Sequence, residues 1–96
     1  MDLKDLREQI DKVDEELLCL FLKRMQLSDE VAKYKKEHGL AVYNAEREQE
    51  ILDWATRESG TMDDYARRFF SNLFELSRSR QFQIMSDDQL KEHQEA

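Results

Sequence analysis

The stretch Leu3–Tyr34, LKDLREQIDKVDEELLCLFLKRMQLSDEVAKY, places apolar residues at Leu3, Leu6, Ile10, Val13, Leu17, Leu20, Leu27, Val31 and Tyr34. Steps of three and four alternate along it, with one position skipped, and this is the heptad stripe of one amphipathic helix. A helix of about 35 residues rises about 1.5 Å per residue and reaches roughly 50 Å. A chain of 96 residues is too small to cover such a stripe by folding back on itself, so a partner helix is expected along it.

Working outward from that helix, the chain holds no proline and only two glycines, Gly39 and Gly60, which mark the breaks. Leu40–Tyr43 reads as a connection, and Asn44 is a good N-cap with Glu46 in the first turn behind it. Ile51, Leu52, Trp54 and Ala55 mark a short second helix ending near Ser59-Gly60. Thr61 is the expected cap of a third helix, with Asp63 and Asp64 in its first turn. Its apolar positions are Met62, Tyr65, Phe69, Leu73 and Leu76, with a second edge at Phe70, Phe74 and Ile84. From Ser86 the chain is polar and acidic and is expected to fray. The reading is all-α: one long, one short and one medium-long helix in a single domain over 1–85, followed by a polar tail over 86–96.

Composition removes several classes of function. Fifteen basic against twenty-two acidic residues leave a net charge of −7, which speaks against general nucleic-acid or anionic-membrane binding. No apolar run approaches the roughly 20 residues of a membrane span, and no secretory signal is read at the start. The lone Cys19 allows no intramolecular disulfide and fits a cytoplasmic setting. His38 and His93 have no metal-ligand spacing, and two glycines cannot build a phosphate-cradling loop.

The informative residues are polar ones standing where the pattern asks for apolar ones. Arg24 occupies the skipped stripe position between Leu20 and Leu27, where an arginine can snorkel, fix register or bind an anion. Lys35 follows eleven residues later, three turns on, on the same face as Arg24. In the third helix Phe70, Phe74, Ser77, Gln81 and Ile84 share one face, so two neutral hydrogen-bonding groups interrupt an apolar edge. Asn44, Arg47 and Glu48 cluster at the start of the second helix, where an arginine opposes the helix dipole and needs compensation from Glu46, Glu50 or a ligand. Arg7 borders the stripe seventeen residues before Arg24, about 25 Å along the axis, too far for one chain to bring both to one small ligand. An antiparallel partner could. None of these is a poised nucleophile; cations and neutral donors converging on a core suit a small polyanion and electrostatic catalysis.

LREQIDKVDEELLCLFLKRM, EVAKYKK, VYNAERE and ELSRSRQ, in this order from about Leu6 to Gln83, together resemble the all-helical class of chorismate mutases. The resemblance implies three helices intertwined as a homodimer, with long first helices paired and each site drawing on both chains. It implies the cofactor-free Claisen rearrangement of chorismate to prephenate, on the way to phenylalanine and tyrosine. It also implies roles residue by residue. Arg7, from the partner chain, and Arg24 match carboxylate-binding arginines; Lys35 and Gln81 match the two donors to the ether oxygen. Glu48 matches the acceptor of the ring hydroxyl, Ser77 a serine near the ring carboxylate, and Arg47 a site arginine with a more indirect role. Asn44 departs from the family, where some members carry an aspartate near the ring hydroxyl. The rival readings are a non-catalytic helical dimer or regulatory module, and an isochorismate pyruvate-lyase on the same scaffold.

Overall fold

The computed structural model describes residues 1–95, with side chains described for residues 1–86. The chain forms α1 (Leu3–Glu37), α2 (Ala45–Glu58), a single 3-10 turn (Gly60–Met62) and α3 (Asp63–Glu95). The polar stretch read as a tail over 86–96 falls almost wholly outside the described side chains, and Ala96 outside the described residues.

Local chemistry sets each boundary. The Asp2 carboxylate accepts from the Asp5 amide, and the Asp5 carboxylate accepts in turn from the Asp2 amide, a reciprocal cap that starts α1. At its far end Gly39 adopts φ +64°, its amide donates to the Lys36 carbonyl, and the Leu40 amide donates to the Lys35 carbonyl at 2.8 Å. This paired closure needs a left-handed residue, which glycine supplies without a Cβ penalty. Asn44 caps α2 by accepting from the Arg47 amide at 3.1 Å.

The α2–α3 junction differs from the expected one. Gly60, at φ +55°, leads directly into the 3-10 turn, closed by the Met62 amide on the Ser59 carbonyl. Thr61 lies inside that turn and does not cap α3, which begins at Asp63; the Asp63 carboxylate accepts from the Asp64 amide. The tight turn carries the chain from one helix to the next without the extended residue that a threonine cap requires.

Packing within the chain is organised around α3, which meets both α1 and α2. Its buried side chains are Leu73, Phe74, Ser77 and Gln81. The other apolar row of α3, with Tyr65, Phe69 and Leu76, faces away and stays exposed, as does Met62 just before it. On α1 only Ser28 and Ala32 are buried, and Ala32 is fully so. The heptad stripe therefore lies beside the intrachain contact rather than in it: Ile10 is 56% and Leu20 63% exposed. The molecule measures 63 × 28 × 15 Å with a radius of gyration of 17.6 Å, whereas a compact chain of this length has about 13 Å. No helix among the described residues is long and apolar enough to cross a membrane.

Candidate active site

α1, α2 and α3 form a partly enclosed cavity of about 320 Å³. Its wall includes Arg24, Lys35, Asn44, Arg47, Glu48, Ser77 and Gln81, so seven of the eight residues singled out from sequence meet in one place. Arg7 does not line it. That absence matches the distance along α1, since Arg7 and Arg24 cannot reach one small ligand from the same helix. The volume lies at the lower end for small-molecule sites.

Each group is held by a specific local feature. The Arg24 guanidinium donates to Ser77 Oγ at 3.0 Å and lies 5.7 Å from the Phe74 ring centroid. Burial, and secondarily the nearby Arg47, lower its pKa from the ordinary arginine value, although it remains a cation at neutral pH. A partly desolvated guanidinium facing a second cation favours an anionic ligand between them. Lys35 sits in the last turn of α1, and its Nζ donates to the Val42 carbonyl at 2.6 Å. This contact ties the connection between helices to the site and leaves two ammonium protons for other acceptors.

Ser77 and Gln81, one turn apart on α3, are 8% and 7% exposed. Gln81 Nε2 donates to Ser28 Oγ at 2.7 Å, while Gln81 Oε1 is buried without a partner among the described residues. A buried amide oxygen with nothing to accept from is costly and uncommon. Glu48 is bound by Arg78, whose Nη1 lies 2.5 Å from both carboxylate oxygens. Arg47 instead pairs with Glu50 at 3.2 Å, an exposed ion pair of the kind expected to offset its position in the first turn.

Two wall residues of consequence, Ser28 and Arg78, escaped the reading of the sequence. Ser28 was findable: Arg24, Ser28, Val31 and Lys35 follow at steps of 4, 3 and 4, so a small hydroxyl lies between the two cations on one face. Arg78 follows Ser77 directly, and consecutive helical residues point about 100° apart, so periodicity placed it off the site face. Among the described residues the cavity carries four cations, Arg24, Lys35, Arg47 and Arg78, against the single carboxylate of Glu48, on a chain whose net charge is −7. Such a hollow focuses positive potential whatever the net charge.

The sequence profile of the family described as Chorismate mutase type II matches residues 6–82. The chain belongs to that family. A T-protein of Haemophilus influenzae is 36% identical over 93 residues, covering 90% of this chain and 25% of its own length. A chorismate mutase of Methanocaldococcus jannaschii is 28% identical over 92 residues, covering 93% of each. Among solved structures, a chorismate mutase from Thermus thermophilus superposes with a TM-score of 0.74 at 32% identity, covering 78% of this chain and 96% of that one. The chain thus spans about a quarter of the length of the T-proteins it matches, and nearly the whole of the single-domain family members.

Proposed function

We propose that this chorismate mutase family member converts chorismate to prephenate in the cytoplasm, on the route to phenylalanine and tyrosine. Residues 1–85 would be the working unit. The observation that carries the reading is the cavity in which the half-buried Arg24 and Lys35 of α1 meet the buried Ser77 and Gln81 of α3.

The chemistry asks for such a set. Chorismate has two carboxylates, an ether-linked enolpyruvyl arm and a ring hydroxyl, and the rearrangement breaks the ether C–O bond as a C–C bond forms. Arg24, with Ser77 beside it, would grip one carboxylate, and Arg7 of a second copy the other. Holding both would fold the arm over the ring and remove part of the entropic barrier. As the C–O bond breaks, negative charge gathers on the ether oxygen. Lys35 and Gln81 would donate to that oxygen and bind the transition state more tightly than the ground state. A half-turn of the Gln81 amide lets the Ser28 hydroxyl donate to Oε1 and presents Nε2 to the cavity, which would both relieve the unpartnered oxygen and supply the second donor. Glu48 would accept from the ring hydroxyl. Asn44 caps its helix and lines the same cavity. Electron flow within one substrate needs no cofactor.

A homodimer is part of the proposal. The chain exposes 7982 Å² of surface, against about 5,800 Å² for a compact monomer of this mass. The difference is of the size that an obligate interface removes from each partner. Pairing the exposed stripes of two antiparallel α1 helices would cover them and carry each Arg7 toward the other chain's Arg24.

Chorismate consumption followed by absorbance, with prephenate identified as product, tests the reading on the wild type and Lys35→Ala together. Wild-type turnover with a large loss in the variant supports it. A folded dimer without turnover would point to a binding or regulatory module, and pyruvate released from isochorismate would point to a lyase.

A further inference from the structure

We propose that Arg78 is a positioning residue that acts through Glu48, holding its carboxylate in place and offsetting its charge so that a dianionic substrate can share the cavity with it. The inference rests on the proposed mutase reaction and extends it to a residue outside the set that the family resemblance supplied.

Among the described residues Glu48 is the only carboxylate on the cavity wall, and a ligand with two carboxylates must bind beside it. Left alone, a fixed anion in a partly enclosed hollow opposes such a ligand, because low-dielectric walls screen it poorly. Arg78 removes that conflict. Its Nη1 contacts both oxygens of Glu48 in a pair that bridges α2 and α3, with side chains only 29% and 21% exposed. The guanidinium is itself held from a second side, 5.3 Å from the Tyr43 ring centroid, so the connection between α1 and α2 braces the ion pair. The Glu48 hydrogen bond also raises the Arg78 pKa above the ordinary arginine value, so the compensating charge is present at every working pH. A carboxylate has about four acceptor directions, so one arginine on its two oxygens leaves room for a substrate hydroxyl. Arg78 thus lets the site keep an acceptor for that hydroxyl without the electrostatic penalty of a free anion.

A double-mutant cycle separates this role from direct contact with substrate. Arg78→Met keeps an unbranched aliphatic side chain at the position and removes the charge, along with the guanidinium contact to Tyr43. In the wild-type background it should raise KM for chorismate on the order of tenfold, with kcat changed less than about threefold. In the Glu48→Gln background, where no anion needs offsetting, the added Arg78→Met should change KM by less than about twofold. Arg78→Lys, which restores a point charge without the fork, should recover most of the KM. Circular dichroism and sedimentation on each variant establish that it is folded and assembled; if Arg78→Met is not, Arg78→Gln, which also removes the charge, replaces it in both backgrounds with the same expected KM changes. An equal KM change in both backgrounds would mean that Arg78 touches the ligand directly, and no change in either would mean that Glu48 needs no compensation. Either result overturns the proposal while leaving an active mutase. A wild type without turnover would instead remove the reaction on which the proposal stands.

Discussion

The two ends of α1 obey the same periodicity and meet different fates. Toward the C-terminus, Arg24, Ser28, Val31 and Lys35 line the cavity, and Ser28 and Ala32 are buried against the rest of the chain. Toward the N-terminus, Leu3, Leu6, Ile10, Val13, Leu17 and Leu20 follow one another with hardly a flaw and are all exposed. The better apolar stripe is thus the one that the chain does not use for itself. A heptad pattern says that a helix has a partner; small and polar residues on the neighbouring face show which part of the helix the chain's own α3 takes. The broken region lines the cavity, and the unbroken region stays exposed, the surface on which the proposed second copy would pack.

The contrast can be broken first at the unbroken end. Ile10→Asp combined with Leu17→Asp puts two charges into the exposed stripe; sedimentation should show a monomer, and activity should fall below about a thousandth of wild type, because the proposed site loses Arg7 along with the dimer. A dimer that survived both charges would place the interface elsewhere. At the broken end, Lys35→Ala should remove about 2.7–4 kcal/mol of transition-state stabilisation, or 10²–10³ in kcat, with the dimer intact. Ala32→Leu tests the intrachain packing rather than the chemistry: with Ala32 fully buried, the larger side chain should cost about 1–3 kcal/mol in denaturant unfolding and leave the oligomeric state unchanged. The smallest effect is expected at Ser28. Ser28→Ala withdraws the partner of Gln81 and should lower kcat about tenfold while KM hardly moves, since the proposed Gln81 contact strengthens only as the C–O bond breaks. An unchanged kcat would mean that the amide is oriented by something else.

Legibility in the sequence followed the same division. Periodicity, the two glycines and the Asn44 cap were enough for three helices, because each is a local property of the chain. Thr61 misled for a related reason: its side chain is that of a good cap, but Gly60 had already turned the chain into a 3-10 turn. Arg24, Ser77 and Gln81 were visible as polar interruptions of an apolar face, and the structure gathers them around one cavity. Arg78 was not visible, because its place depends on α2 arriving beside α3 with Glu48 facing it across thirty residues of sequence. Tertiary pairing of that kind leaves no periodic trace. Nor does the face of α3 that turns inward: Tyr65, Phe69 and Leu76 form a row as apolar as the buried one and still point outward.

The central claim, that each site needs both chains, is tested most directly by mixing two crippled variants. In the proposed dimer, Arg7→Ala and Lys35→Ala homodimers would each lack one essential cation in every site. If the chains are unfolded together and refolded, half of the dimers should be mixed, and each of these should contain one site with both cations restored. Prephenate formation should then recover to about a quarter of the wild-type rate from two nearly inactive parents. A mixture no more active than the average of its parents would contradict the shared site and return Arg7 to the surface.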